Sequence, residues 1–103
     1  CGRKDYIFVE DFADILFQLI KKGVSHEVIN VGSGCTASVN EIVSAVTNII
    51  PSFCVEHINQ QRFDVSHFEL NLSKLSSYIK LPKFTTLQEG LMKTYNWTKS
   101  ICD

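Results

Sequence analysis

The chain has 103 residues, of which 45% are hydrophobic and 20% are charged, and its formal net charge is −1. This length holds one domain at most, with the composition of a folded globular protein rather than a disordered one. The charge balance gives no basic excess for nucleic acid or an anionic membrane, so neither partner is expected. No apolar run approaches a membrane span and no signal-peptide pattern opens the sequence, so a cytoplasmic location is expected.

Four cysteines raise the question of disulfides or a zinc site. Cys1, Cys35, Cys54 and Cys102 include no C-x₂-C pair, and the three histidines form no ligand ladder. Cysteines without such spacing in a cytosolic protein are typically reduced. The sequence therefore predicts free thiols and no bound metal.

The first predicted elements are a strand and a helix. Residues 6–9 are apolar and rich in β-formers, which predicts a short strand or an extended segment. Acidic residues then open a helix, where the helix dipole favours them, and Gly23 is placed to end it. The apolar stripe of this helix consists of Phe12, Ile15, Leu16, Leu19 and Ile20.

The central stretch predicts a strand, a turn and a second helix. Residues 28–31 are mostly β-branched and predict a buried strand, which Gly32 and Gly34 interrupt. Ser38 and Glu41 have the spacing of a capping box, in which each side chain pairs with the other residue's backbone N–H. The helix that follows carries one apolar face and ends at a proline.

Shorter elements are predicted beyond that proline. Residues 53–58 predict another strand and residues 59–64 a polar loop. Ser73 is predicted to cap a short helix through its hydroxyl. Thr86 and Glu89 form a second capping box, which opens the final helix.

Five short motifs follow one another along the chain. They are K-D-Y-I-F-V-E-D-F-A (4–13), N-V-G-S-G (30–34), R-F-D-V (62–65), L-N-L-S-K (70–74) and T-L-Q-E-G-L (86–91). In this order they resemble the C-terminal part of NAD-dependent epimerase/dehydratases, the nucleotide-sugar branch of the extended short-chain dehydrogenase/reductases. The resemblance implies an α/β fold, namely the small substrate-binding portion of such an enzyme, without most of its Rossmann domain.

The resemblance also implies what this chain does not carry. Residues 1–103 would be the C-terminal nucleotide-sugar-binding portion of a longer enzyme, and the family's glycine-rich fingerprint and catalytic Ser/Thr have no counterpart in it. NAD(P) would then be bound by the intact enzyme and not by this chain, which alone is expected to be inactive. A Tyr-x-x-x-Lys match from Tyr95 to Lys99 lies at the end of the final helix and is interpreted as coincidental.

The ligand implied by the resemblance is a nucleoside-diphosphate sugar. In the family, an arginine before Asp-Tyr contacts the diphosphate; Lys4 stands at that position with Arg3 beside it, and a solvated basic pair is the alternative. In the family, the arginine of an R-x-x-D loop holds a phosphate and its aspartate holds a ribose hydroxyl. This makes Arg62 and Asp64 candidates, although Arg62 lies one residue after the position that the motif gives to the arginine. The alternative for this second pair is a surface ion pair of little energetic consequence. The Gly32–Gly34 turn is expected to be structural, and Asn71 to cap a turn.

Two functions stay open from the sequence. The chain could be the substrate-binding part of a nucleotide-sugar epimerase or dehydratase, or a stand-alone, non-catalytic α/β module that binds a small ligand or a protein. In the family, the strand matching residues 28–31 joins the sheet of the cofactor domain. Without that sheet its backbone groups would be unpaired, so the isolated chain is expected to form a homodimer or a swapped oligomer.

Overall fold

The computed structural model describes residues 2–56, 58 and 67–102, which form an α/β fold of two strands and four helices. The elements are β1 (Arg3–Asp5), α1 (Val9–Lys21), β2 (Thr36–Ser38), α2 (Val39–Ile49), α3 (Ser73–Tyr78) and α4 (Leu87–Cys102). The two strands pair antiparallel, with Arg3 opposite Ser38 and Asp5 opposite Thr36. α2 follows β2 directly and packs on α4.

Helix α1 agrees with its prediction. Glu10 and Asp11 lie in its first turn and Lys21 in its last, so the charges oppose the helix dipole at both ends. Gly23 follows with φ of 71°, a left-handed conformation that suits glycine, and its N–H donates to the Ile20 carbonyl at 3.0 Å. The predicted helix and its glycine stop are confirmed.

Capping explains where the remaining helices begin. The Ser38 hydroxyl accepts the Glu41 N–H at 3.2 Å, and the Thr86 hydroxyl accepts the Glu89 N–H at 3.2 Å, so both predicted caps form. At α3 the prediction of Ser73 as the cap is wrong. Asn71 Oδ1 accepts the Ser73 N–H at 2.8 Å, because a short amide side chain reaches the backbone two residues on. The turn-capping role expected for Asn71 is confirmed.

The hydrophobic core joins α1 to α3. Ile15 and Leu75 are fully buried, and Ile79 is 5% exposed. Partly buried side chains surround them: Ile7, Leu19, Ile29, Val31, Leu72, Tyr78, Leu81 and Phe84. Because α1 and α3 lie far apart in the sequence, this core fixes the arrangement of the two halves of the chain.

The strand predictions for two apolar segments are wrong, and of the two forms predicted for residues 6–9 the strand does not occur. Residues 6–8, 28–31, 53–56 and 58 have no strand assignment, and Val28 is 87% exposed. A β-branched composition favours extended backbone, but a strand also needs a neighbour for its hydrogen bonds. Among the described residues, ladder pairing goes instead to the more polar segments Arg3–Asp5 and Thr36–Ser38.

One side of α1 remains exposed although it is apolar. Phe12 is 41% exposed, Leu16 48% and Ile20 66%, and these three residues are called the apolar face below. Beside them lies a groove of about 410 Å³ that Ile29 and Val31 also line. The helix thus buries one edge of its stripe in the core and leaves the other uncovered.

No helix in the described part of the chain is both long enough and apolar enough to cross a membrane. Cys35, Cys54 and Cys102 are free and exposed.

Candidate functional site

Three of the five motifs meet at the Asp5 carboxylate. Its Oδ1 accepts the Ser33 N–H at 2.9 Å and the Ser33 hydroxyl at 2.8 Å, while its Oδ2 accepts the Gly34 N–H at 2.9 Å. Leu70 and Leu72 pack against the same turn. We call this arrangement the Asp5 junction. It shows that the Gly32–Gly34 turn holds a carboxylate of its own chain.

Close packing at the junction explains both of its glycines. A Cβ at Gly32 would lie 2.6 Å from Leu70 Cδ1 and 2.9 Å from Asp5 Oδ2, which is closer than real Cβ contacts allow. Gly34 has φ of 76°, in the left-handed region, and a Cβ there would lie 3.1 Å from Leu72 Cδ1. The expectation that this turn is structural agrees with its geometry.

The Arg3 side chain forms hydrogen bonds across the two-stranded ribbon of β1 and β2. Its Nε donates to Thr36 Oγ1 at 3.0 Å, its Nη2 donates to the Thr36 carbonyl at 2.9 Å, and its Nη1 pairs with Glu41 Oε1 at 2.7 Å. The hydrogen bond from the Arg3 guanidinium lowers the pKa of Glu41, against a smaller opposing effect of desolvation. Arg3 therefore ties β1 to β2 and to the first turn of α2.

Lys4 lies between these two anchored residues, opposite Ala37 on β2. Side chains alternate along a strand, so Lys4 projects from the face opposite to that of Arg3 and Asp5. The two basic residues that the sequence placed together as a phosphate-binding pair are thus divided between two faces of the ribbon.

Arg62 and Asp64, the second pair of candidates, lie outside the described residues. His67 follows them and forms a parallel bridge with Arg3, and the Phe68 N–H donates to the Arg3 carbonyl at 2.7 Å. The segment that follows the predicted R-F-D-V loop is therefore attached to the strand that carries Lys4.

The second aspartate of the first motif also serves an internal contact. Asp11 Oδ2 accepts the Thr85 N–H at 2.8 Å, and its Oδ1 accepts the Thr85 hydroxyl at 3.1 Å. This contact joins the start of α1 to the segment before α4. A cleft of about 440 Å³ lies beside it, lined by Tyr6, Phe8 and Leu91 among others.

The Tyr95–Lys99 match forms a contact on the surface of α4. Lys99 Nζ lies 5.3 Å from the centroid of the Tyr95 ring, as expected for residues four positions apart on a helix. Among the described residues no group of three or more His, Cys, Asp or Glu side chains is arranged to hold a metal ion.

Known proteins similar to this chain are nucleotide-sugar enzymes. A UDP-glucuronate 4-epimerase of Thermodesulfobacterium geofontis is 26% identical over 98 residues, which are 93% of this chain and 30% of that protein. A trifunctional UDP-glucose 4,6-dehydratase, epimerase and reductase of Arabidopsis thaliana is 26% identical over 97 residues, 91% of this chain and 14% of that protein. The chain is related to nucleotide-sugar epimerases and dehydratases. No protein-family profile matches it.

Two solved structures share the fold of this chain. The UDP-glucuronic acid 4-epimerase of Bacillus cereus, in complex with NAD, superposes with a TM-score of 0.81 at 19% identity, over 99% of this chain and 33% of that one. The enzyme WbmF of Bordetella bronchiseptica, in complex with NAD⁺ and UDP, gives 0.75 at 24% identity, over 96% and 29%. The predicted α/β class, a small portion of an extended short-chain dehydrogenase/reductase, is confirmed.

The described glycine turn does not fit the pyrophosphate of a dinucleotide. Such a site uses free backbone N–H groups of a glycine-rich turn at a helix start. The Ser33 and Gly34 N–H groups donate to Asp5, and the sequence contains no G-x-x-G-x-x-G.

The chain spans about a third or less of the length of the relatives that it matches.

Proposed function

We propose that this epimerase-related chain is the substrate-binding part of a nucleotide-sugar epimerase or dehydratase. In this proposal NAD(P) is held by a part of the protein outside residues 1–103. The observation that carries the proposal is the Asp5 junction, where separate segments of the family resemblance converge beside a strand with two basic residues. The free thiols Cys35, Cys54 and Cys102 support a cytoplasmic location.

Lys4 is the proposed partner of the diphosphate. Its ammonium neutralises phosphate as a point charge, without the bidentate geometry of an arginine. The Arg3 guanidinium is paired with Glu41 and Thr36, so a phosphate contact by Arg3 would have to replace these bonds. Arg62 and Asp64 are proposed to complete the site, with the arginine on a phosphate and the carboxylate on a ribose hydroxyl.

The role of this chain in the reaction would be to hold and orient the sugar. NAD supplies the hydride chemistry when it is bound by the complete protein. Residues of this chain would fix the nucleotide end of the substrate, which places the sugar ring for reaction. The chain alone should show no turnover.

The apolar face supports a second proposal, on assembly. Three large side chains on one side of α1 are 41% to 66% exposed, and residues 28–31, two of which line the same groove, form no strand. In the complete protein this region would pack on the remaining polypeptide. In the isolated chain we propose that a second copy covers it, because exposed apolar surface and unpaired backbone favour association.

The direct test is a titration of the ¹⁵N-labelled chain with UDP, UMP and uridine at millimolar concentrations, read from amide chemical shifts. We expect shifts near Lys4 that are larger for UDP than for UMP and absent for uridine, because the contact is with phosphate. GDP, CDP and dTDP then report on the base. Lys4→Ala and Arg62→Ala should each weaken the UDP response.

Lys80→Ala is the matched control, since Lys80 is exposed on another part of the chain. A UDP response equal in Lys4→Ala, Arg62→Ala and Lys80→Ala would contradict the assigned roles. No response to any diphosphate would favour the alternative, a non-catalytic α/β module. Sequencing the coding region on both sides of residues 1–103 would separate the two: a glycine-rich dinucleotide fingerprint upstream supports the enzyme.

A further inference from the structure

The Asp5 carboxylate is more than a surface acid, because every one of its described bonds goes to a turn 28 or 29 residues away. The two oxygens together accept two backbone N–H groups and one hydroxyl at 2.8 to 2.9 Å. Backbone N–H groups that converge in this way form a concave site for an anion. Asp5 is the anion that fills it.

This contact determines how β1 is presented. Asp5 is anchored to the turn, and Arg3, two residues earlier on the same face, is anchored to Thr36 and Glu41. With both neighbours held on one face, the strand cannot rotate about its axis. Lys4 is therefore kept on the other face.

We propose that Asp5 is a positioning residue for nucleotide binding, whose carboxylate fills the Gly32–Gly34 turn and so holds Lys4 toward the diphosphate of the ligand. The inference rests on the proposed function. Asp5 itself does not touch the ligand; it acts through β1. Its charge matters, because hydrogen bonds to an ionised acceptor are stronger than bonds between neutral groups.

The first arm of the test concerns the turn alone. In Asp5→Ala the three donors lose their partner, and a small carboxylate can replace it. We expect sodium formate, but not sodium chloride at equal ionic strength, to raise the melting temperature of Asp5→Ala and to shift the Ser33 and Gly34 amide resonances. The wild-type chain should respond equally to both salts. Equal responses of Asp5→Ala to formate and chloride would overturn the anion role of Asp5.

The second arm measures the dissociation constant for UDP. Losing the charged acceptor should weaken UDP binding by about tenfold, the change that corresponds to one charge-assisted hydrogen bond. Formate should not recover that loss in Asp5→Ala, because it fills the turn without a covalent link to β1. The double variant should bind no more weakly than Lys4→Ala, because Asp5 acts through that residue.

Ser33→Ala gives a milder variant if Asp5→Ala does not fold, since it removes one of the three donors and keeps both backbone N–H groups. It should weaken UDP binding in the same direction, and wild-type affinity in this variant would then count against positioning. If formate restores the stability of Asp5→Ala and this variant binds UDP as tightly as the wild type does, Asp5 is a structural residue only and the positioning role is overturned. A wild-type chain that binds no UDP would overturn the proposed function together with this inference, whereas wild-type binding with an unaffected Asp5→Ala overturns the inference alone.

Discussion

The Asp5 junction and the apolar face lie on neighbouring parts of the chain and differ in how far their interactions are satisfied. At the junction both carboxylate oxygens are hydrogen-bonded, and two glycines allow Leu70 and Leu72 to approach. On the apolar face three large side chains remain exposed. Within the chain, the polar groups of the junction have hydrogen-bond partners, whereas the side chains of the apolar face remain uncovered. The difference fits the proposal that the junction works within the chain and that the face packs on other polypeptide.

The largest expected effect compares the buried and exposed sides of α1. Ile15 is fully buried and Leu16 is 48% exposed. Ile15→Ala should lower the free energy of unfolding by about 2–5 kcal/mol, because it leaves a cavity in the core. Leu16→Ala should change it by about 0.5 kcal/mol or less, as for an exposed position. Urea denaturation of both variants measures the contrast, and equal losses would show that the apolar face is covered within the chain.

The next effect compares two buried glycines. Gly32→Ala should cost about 1–3 kcal/mol, because its Cβ overpacks the junction. Gly90 lies inside α4, where a Cβ would meet Phe8 Cδ1 at 3.4 Å, an ordinary contact. Gly90→Ala should therefore gain up to about 1 kcal/mol from helix propensity. Thermal unfolding measures both changes. The melting temperatures of the two variants should shift in opposite directions from the wild type if the junction is tightly packed, and in the same direction if it is not.

The next prediction concerns self-association through the apolar face. The double variant Leu16→Glu with Ile20→Glu places two charges on the apolar face and should shift the chain toward the monomer in light scattering at high concentration. Its free energy of unfolding should fall little. Ser44→Glu with Asn48→Glu adds the same charge on the exposed side of α2 and should leave the mass unchanged. A wild-type chain that is monomeric at all concentrations would refute the assembly proposal.

The smallest effect concerns the ion pair at the edge of the apolar face. Lys74 Nζ lies 2.8 Å from Glu27 Oε2 and also donates to the Val28 carbonyl at 2.8 Å. The hydrogen bond with Lys74 lowers the pKa of Glu27 below 4.5, and the bond with Glu27 raises the pKa of Lys74 above 10.5. The pair therefore contributes stability between about pH 4.5 and 10.5, which is lost as the pH falls through the folded pKa of Glu27 or rises through that of Lys74.

Glu27→Gln should remove this contribution. The variant should melt slightly below the wild type at pH 7, and the difference should shrink as the pH falls through the folded pKa of Glu27. A difference that does not shrink as the pH falls would show that the glutamine changes packing rather than charge. The effect is small because both side chains are largely exposed.

The helices were predictable from the sequence because their signals are local. The apolar spacing and acidic first turn of α1, and the Ser38 and Thr86 caps, depend on residues within a few positions of one another. The strands were not predictable for the opposite reason. Arg3–Asp5 and Thr36–Ser38 have no β-rich composition, and their pairing depends on contact across more than thirty residues. Residues 28–31 have the composition of a strand but pair with no other strand among the described residues.

The candidate site was predictable in part. Sequence motifs located the basic strand and the glycine turn, but they did not join Asp5 to Ser33, because that contact appears only when the chain folds. The clue was present in the aspartate of the first motif and in the donors of a Gly-Ser-Gly turn. The division of Arg3 and Lys4 between two faces follows from strand alternation, which could be applied only once β1 was known.

The double attachment of Arg3 has a consequence for interpreting mutants. Its carbonyl holds Phe68 through the backbone, and its guanidinium holds Thr36 and Glu41. A substitution such as Arg3→Ala keeps the first link and cuts the second, so the side-chain link from β1 to the first turn of α2 is lost while the Phe68 segment stays in place. Loss of ligand binding in Arg3→Ala would therefore also follow from the lost link between β1 and α2. A phosphate contact by Arg3 would have to be tested with Glu41→Gln as a control, because that variant weakens the same link and keeps the guanidinium.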